Sequence, residues 1–351
     1  MRILAIETSC DETAVAVTEG RRVLSNVIFS QIDIHKEYGG VYPSLAKRAH
    51  QEKIDPVILK ALKISGVKME KIGAIAVTAG QGLVVALEVG LEKGKELARV
   101  YRKPLIPIDH TEGHIYSCFG QNRKGKPARE FKFPLLALII SGGYTGLILV
   151  KDHLKYEILG KTLDDAVGEA FDKACKMIGL GYPGGPVIEA LAKKGDPGFL
   201  KLPIPMRAHP GFDFSYSGLK TAFYNRLAKM DEKKIKQNLC SLAASFQETA
   251  FTALEVRLKK ALLTTGVKQL VVGGGVIANK VLRKKIRKLS RDLEVEVLFP
   301  SSEKLVGDNA AMIGVAGHFK YQRGIYLEKN FDSLDRIARP DLKMWVTNPR
   351  G

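Results

Sequence analysis

One pattern occurs twice along the chain. Residues 3–20, ILAIETSCDETAVAVTEG, and residues 135–152, LLALIISGGYTGLILVKD, each run from an apolar segment through a short polar turn to a threonine and a second apolar segment. Short apolar runs bounded by turn residues read as strands, and two joined tightly read as a hairpin. The repeat predicts a duplicated α/β architecture: two related lobes, each offering a hairpin turn to a shared cleft. With 351 residues, 45% of them hydrophobic, the chain can bury a large core or two lobes.

The elements around these hairpins support the same reading. RILAIE (2–7), AVAVTEG and VLSNVIFSQ read as three successive strands, and the apolar spacing from Ser44 to Ile64 is helical. IGAIAVTAGQGL reads as a strand and glycine loop, VALEVGLEKGKELARVY as a helix, and PLIPIDH as a further strand. QLVVGGGVIANKVLRKKI (269–286) gives strand, triple glycine and helix, and the basic loop 121–132 is the expected lobe junction. The expected lobes are 1–130 plus about 310–345, and 131–309. The longest apolar run, LLALII at 135–140, has strand length and falls short of the ~20 residues that span a bilayer, so no membrane is expected. The opening MRILAIETSCDET turns acidic too early for a secretory signal. Cysteines 10, 118, 175 and 240 form no CxxC pair, which points to reduced thiols and a cytoplasmic location.

The candidate chemistry begins at IDHTEGHIY (108–116), where His110 and His114 stand four apart. On a helix they share a face and could clasp one metal ion. In the zinc-protease signature the glutamate directly follows the first histidine. Here Thr111 holds that place, and Glu112 lies about 100° further round the helix. Cys118, at i+8, is a possible third ligand, although a free cysteine also serves as a small core residue. An oxygen donor from a distant segment would complete the set. Asp308, at the start of GDNAAMIGVAGH, is available, its simpler role being a helix cap. Asp11 and Glu12 occupy the first hairpin turn, and Asp164 and Asp165 open TLDDAVGEAFDKACKMIG. Helical spacing would put Asp165, Glu169 and Asp172 on one face.

Three glycine turns follow apolar strands: Ser141-Gly142-Gly143, Pro183-Gly184-Gly185-Pro186 and Gly273-Gly274-Gly275. Glycine lets backbone N–H groups approach phosphate closely, so the three together point to a nucleotide. None matches a P-loop or a Rossmann fingerprint. The net charge of +18 favours polyanions, and it concentrates in 279–293 and 123–132. Those stretches are either an RNA-contacting surface or a solvated helix face and a loop.

IETSCDET, HKEYGG, DHTEGH, IISGGYT, DDAVGEAFDK, GYPGGP, FSYSGLK, GGGVIANK and GDNAAMIG, in this order across residues 7 to 314, resemble the bacterial TsaD family. These are tRNA N6-adenosine threonylcarbamoyltransferases, once taken for O-sialoglycoprotein endopeptidases. The resemblance implies an actin-like, ribonuclease-H-like fold of two duplicated lobes with nucleotide and metal in the cleft. It implies transfer of threonylcarbamoyl from threonylcarbamoyl-AMP to the adenine beside the anticodon of tRNAs reading codons that begin with A. His110, His114 and Asp308 match the family's metal ligands, for Fe2+ or Zn2+. Ile139, Ile140, Ser141, Gly142, Gly143, Asp172, Gly185 and Asn279 match its contacts to the adenylate or ATP, and Glu189 matches a ribose-binding acid. Asp11 and Glu12 match the acidic turn needed for activity. The family works on tRNA beside a paralogous TsaB-type subunit and a TsaE-type ATPase. Tyr144, Gln81 and Ser44 depart from the usual histidine, proline and glutamate, and Ile139 stands where archaeal relatives place a tyrosine ligand. Two other readings are an actin-like small-molecule kinase, which would need no paired histidines, and a nucleotide-gated scaffold without chemistry of its own.

Overall fold

A computed structural model describes residues 1–334. Strands Arg2–Glu7 (β1), Glu12–Glu19 (β2), Arg22–Ser30 (β3), Ala74–Gly80 (β4) and Leu105–Asp109 (β5) form a first sheet of order β3-β2-β1-β4-β5. Strands Leu135–Ile140 (β6), Thr145–Asp152 (β7), Lys155–Lys161 (β8), Gln269–Gly273 (β9) and Glu296–Leu298 (β10) form a second, of order β10-β9-β6-β7-β8. Read from its other edge, the second sheet repeats the first strand for strand. In each, an antiparallel meander is extended by two parallel strands. The duplication expected from the two hairpins is therefore present in the topology of the whole sheets.

Parallel neighbours need long crossovers, and helices supply them. Between β3 and β4 lie α1 (Ile32–His35) and α2 (Pro43–Ser65), between β4 and β5 α3 (Val84–Val100), and directly after β5 α4 (His110–Ser117). Helices α5 (Val167–Met177), α6 (Gly184–Ala192), α7 (Ser217–Leu227), α8 (Glu232–Gln237) and α9 (Leu239–Thr265) fill the space between β8 and β9. Helix α10 (Lys280–Asp292) joins β9 to β10.

After β10, α11 (Ala310–Gln322) returns to the first sheet, where Ala310, Ala311, Met312 and Ile313 pack with Ile3, Ala5, Ala14 and Ala16. The small residues of α11 permit that approach. A Cβ on Gly314 would lie 2.6 Å from Thr18 Oγ1. Of the expected return at about 310–345, residues 335–345 lie outside the described residues.

Helix α4 holds a position between the sheets. It emerges from the first, while Ile115, Cys118 and Phe119 at its C-terminal end pack on Leu135, Ala137, Ile139, Ile148 and Val271 of the second. The connection after it is tied back to the edge of the first sheet: Val23 N donates to Gln121 O (2.8 Å) and Arg123 Nε to Leu24 O (2.9 Å). Arg129 donates to Cys118 O (2.6 Å), and Lys132 pairs with Glu296 (2.7 Å). Much of the basic charge of 123–132 thus holds the connection in place. Among the described residues, no helix is long and apolar enough to cross a membrane.

Candidate metal and nucleotide site

Asp109 ends β5 and caps α4, its Oδ1 accepting from Thr111 N (2.8 Å) and Glu112 N (3.2 Å). That start sets His110 and His114 one turn apart on one face. The cap of α11 is Asn309, whose side-chain oxygen accepts from Met312 N (3.1 Å). Asp308 is therefore not the cap its position suggests, because the residue directly before the first helical one takes that role. Its freed carboxylate places Oδ1 3.3 Å from His110 Nε2 and 3.2 Å from His114 Nε2. The three ligand atoms all lie within 4.8 Å of one another.

The donor set fits a divalent cation. Ligands at about 2.0–2.2 Å from a tetrahedral centre stand roughly 3.4 Å apart, close to both carboxylate–imidazole separations. Both ring nitrogens of His114 are buried; Nδ1 has no hydrogen-bond partner, and Nε2 meets the Asp308 carboxylate. A cation held between Nε2 and that carboxylate would take the lone pairs of both. Burial pushes His114 down from its ordinary pKa, which keeps the ring neutral and able to coordinate.

Behind His110 stands Glu7, 0% exposed at the end of β1. Its carboxylate accepts from Ser9 N (2.5 Å), Thr78 Oγ1 (2.7 Å) and His110 Nδ1 (3.1 Å). Ser9 Oγ also lies 3.0 Å from His110 Nδ1. Burial pushes the His110 ring down, but Asp308 and Glu7 outweigh it and hold its pKa well up; with Nδ1–H committed to Glu7, Nε2 is the nitrogen that would give up its proton to a cation. Burial pushes the Glu7 carboxyl up, but the His110 imidazole outweighs it and holds the group below its usual range. Asp308 shows the same balance: burial raises it, and His110 and His114 together bring it far down.

Glu112 takes no part in this set. Its Oε2 lies 2.8 Å from Lys320 Nζ, both residues buried, and its Oε1 accepts from Tyr156 OH (2.7 Å). A general base in the protease register is therefore absent from this face of α4. Cys118 is also excluded as a third ligand, since its thiol packs into the second sheet and donates to Val272 O (3.4 Å).

The acidic turn adjoins the donor set through Ser9. Asp11 is buried, and Glu12 Oε1 lies 3.5 Å from Ser30 Oγ. Burial, then the carboxylates of Asp308 and Asp11, push the Glu12 carboxyl well up.

The nucleotide candidates come from the second lobe. Ile139 pairs with Gly273 across β6 and β9, so the Ser141–Gly143 and Gly273–Gly275 turns emerge side by side. Gly274 has φ +94°, and a Cβ there would meet Ile140 O at 2.3 Å. Only glycine fits. Ile139 and Ile140 are buried in the sheet, Ile139 paired with Gly146 on one side and Gly273 on the other. Glu169 N donates to Gly142 O (3.0 Å), anchoring the first turn to α5. Asp172 Oδ1 accepts from Gly184 N (2.7 Å) at the start of α6, next to Gly185, where a Cβ would meet nothing within 4 Å. Burial pushes Asp172 up, and Asp11 and Glu169 add to the rise.

Glu189 accepts from Lys280 N (3.1 Å). Asn279 caps α10 through Val281 N (3.0 Å) and Leu282 N (3.1 Å), and its amide donates to Gln247 (2.8 Å). The expected row of carboxylates along α5 is not formed, because the helix begins at Val167, after Asp164 and Asp165. Asp165 instead pairs with Lys173 (2.6 Å) and Lys220 (2.7 Å). Asp164 accepts from Ser215, Tyr216 and Ser217.

The family model of TsaD, the tRNA N6-adenosine threonylcarbamoyltransferase, matches residues 22–315. The chain belongs to the TsaD family. A tRNA N6-adenosine threonylcarbamoyltransferase of Staphylococcus carnosus (strain TM300) is 46% identical over 343 residues, covering 97% of each chain. One of Pelobacter propionicus is 46% identical over 344 residues, covering 96% of this chain and 99% of its own. Solved structures extend the likeness of fold. The activator of the 2-hydroxyisocaproyl-CoA dehydratase from Clostridium difficile aligns with TM-score 0.52 at 13% identity, over 92% of this chain and 96% of that one. T. kodakarensis HypF aligns with TM-score 0.58 at 12% identity, over 92% of this chain and 48% of that one. The fold is the actin-like, duplicated two-lobe kind.

For this TsaD-family chain, sequence reasoning missed Glu7, His50 and Lys320. Glu7 carried a signal, a carboxylate closing an otherwise apolar strand. His50 and Lys320 look like surface residues of helices until the partners of those helices are known.

Proposed function

We propose that this chain transfers the threonylcarbamoyl group of threonylcarbamoyl-AMP to N6 of adenine 37, 3′ of the anticodon, in tRNAs that read codons beginning with A. The observation that carries the reading is the convergence of His110, His114 and Asp308, with Glu7 behind them, in a chain of this family.

In the reaction N6 attacks the carbamoyl carbon, a C–N bond forms, and the C–O bond to AMP breaks. AMP leaves with the bonding pair, and N6 gives up a proton. Adenine N6 is a poor nucleophile because its lone pair is delocalised, so the mixed anhydride supplies the driving force. His110, His114 and Asp308 would hold one divalent ion, Fe2+ by family preference, with Zn2+ equally suited to two imidazoles and a carboxylate. Such an ion supplies Lewis-acid charge for a phosphate or carbamoyl oxygen.

The protein's own groups do the rest. Glu7 fixes the His110 tautomer. Backbone N–H groups of the Ser141–Gly143 and Gly273–Gly275 turns receive phosphate, with Asp172, Gly185, Glu189 and Asn279 grouped around the adenosine. Asp11 and Glu12 stand where the N6 proton is released. The target base must leave its stack, which an anticodon loop permits more cheaply than a duplex does.

The reading includes lobes of 1–130 plus about 310–345 and of 131–309, a cytoplasmic location, and work beside TsaB-type and TsaE-type partners. The kinase alternative finds no support in the curated relatives. The test is to incubate the metal-loaded chain and those partners with threonylcarbamoyl-adenylate and unmodified tRNA, then digest to nucleosides. Modified adenosine is expected; its absence overturns the reading.

A further inference from the structure

We infer that His50, on α2, is a positioning residue for the acidic turn, gripping it on both sides of Asp11 and Glu12. Its Nε2 lies 3.0 Å from Cys10 O, immediately before the pair, and its Nδ1 lies 2.8 Å from Thr13 Oγ1, immediately after it. The ring is buried, as is Thr13. A carbonyl only accepts, so Nε2 carries the proton, and Nδ1 accepts from the threonine hydroxyl. Burial pushes His50 down from its ordinary pKa, in keeping with a neutral ring that has one donor and one acceptor.

The rest of the turn is anchored residue by residue. Thr8 Oγ1 donates to Ala86 O (3.0 Å), Leu83 N to Ser9 O (2.7 Å), and Gln31 N to Asp11 O (2.9 Å). A second buried histidine, His35, secures the last of these anchors. Its Nε2 lies 3.1 Å from Gln31 Oε1, and its Nδ1 accepts from Tyr42 N (3.3 Å). The segment 31–50 thus clamps the backbone of the turn through contacts that do not use the carboxyl groups of Asp11 and Glu12. This gives His35, the first residue of HKEYGG, a place in the clamp. A carboxylate aimed at a leaving proton needs its backbone held to a fraction of an ångström.

The inference rests on the transferase reading for what the turn does, so the test separates the two. In the full chain, Thr13→Val removes the hydroxyl at nearly constant volume, and Thr13→Ser restores it. Thr13→Val is expected to lower kcat by about tenfold or more. KM for tRNA and for threonylcarbamoyl-adenylate should stay within about twofold, as should metal content. Thr13→Ser should recover most of kcat, and His50→Gln should behave like Thr13→Val. Faster amide exchange at residues 11–13 in Thr13→Val, exceeding any change at the amides of β1 and β4, reports the loosened turn without any turnover. A wild-type chain that does not modify tRNA breaks the transferase reading, and amide exchange then decides the clamp alone. Wild-type kcat and wild-type exchange in Thr13→Val overturn the inference, as does a kcat in Thr13→Ser no better than in Thr13→Val.

Discussion

Replacing Glu7 with glutamine tests whether the metal site depends on its backing carboxylate. The side chain is isosteric and 0% exposed, so size and solvation hardly change. What changes is the number of bonds it can accept. One oxygen of Glu7 accepts from Ser9 N, and the other accepts from Thr78 Oγ1 and His110 Nδ1. A glutamine amide has two orientations, and neither satisfies this set. With its oxygen toward Ser9, the NH2 faces His110 Nδ1, which must then accept. The imidazole proton moves to Nε2, the nitrogen that faces the ion. With its oxygen toward His110, the NH2 meets the Ser9 N–H donor to donor.

Either way one hydrogen bond to a charged group is lost, a cost of about 1.5–3 kcal/mol. At about 1.4 kcal/mol per decade this is a rise in metal Kd of roughly 10–100-fold. Changes to groups that orient a ligating histidine span the same range. Competition for Zn2+, or anaerobically for Fe2+, against a chromophoric chelator measures it directly. A folded Glu7→Gln protein that binds metal within about twofold of wild type would refute the argument.

His114→Ala is expected to remove the ion, measured by elemental analysis after dialysis, with the circular dichroism spectrum retained. Asp308→Asn and Asn309→Ala should separate function from capping. The first should weaken metal binding with the circular dichroism spectrum retained, and the second should cost about 1 kcal/mol in denaturant unfolding while sparing the metal. Lys320→Met strands the buried Glu112 carboxylate and should destabilise the protein by about 3–5 kcal/mol, whereas Glu112→Leu with Lys320→Met should recover much of the loss. Changing Lys284, Arg287 and Lys288 to Glu should weaken tRNA binding and flatten its log–log salt slope by ~0.7 per lost phosphate contact, with adenylate affinity unchanged. Arg283 is left out of that set because it is only half-exposed and its Nε donates to Ile277 O (2.6 Å).

The features legible in the sequence were those carried by neighbours along the chain. The two hairpins, the His110–His114 pair and the glycine turns each depend on a handful of adjacent residues. Glu7 and His110 are 103 residues apart, and only the parallel β1–β4–β5 arrangement brings their strand ends together. Asp308 was recognisable as a carboxylate in search of a role, but that Asn309 and not Asp308 caps α11 turned on one residue of helix register. Asp165 was misplaced because helical spacing continues backwards past the true start of α5, and its lysine partners could not be seen. Charge was the least readable quantity. A count of arginines does not distinguish Arg123 and Arg129, which bind carbonyls of their own chain, from the exposed Lys284 and Arg287 of α10.

One contact has consequences for how the two halves of the site communicate. A Cβ on Gly273 would lie 2.6 Å from His114 O, so β9 and the ligand helix meet with no room for a methyl group. Gly273 also begins the triple-glycine turn. The backbone of the turn and the backbone of His114 therefore touch with no soft side chain between them. If nucleotide seats there, ion and nucleotide bind as linked ligands, and whatever factor one adds to the affinity of the other must be returned in equal measure. The glycine would then act as a rigid coupling, and metal affinity measured with and without the adenylate would report it.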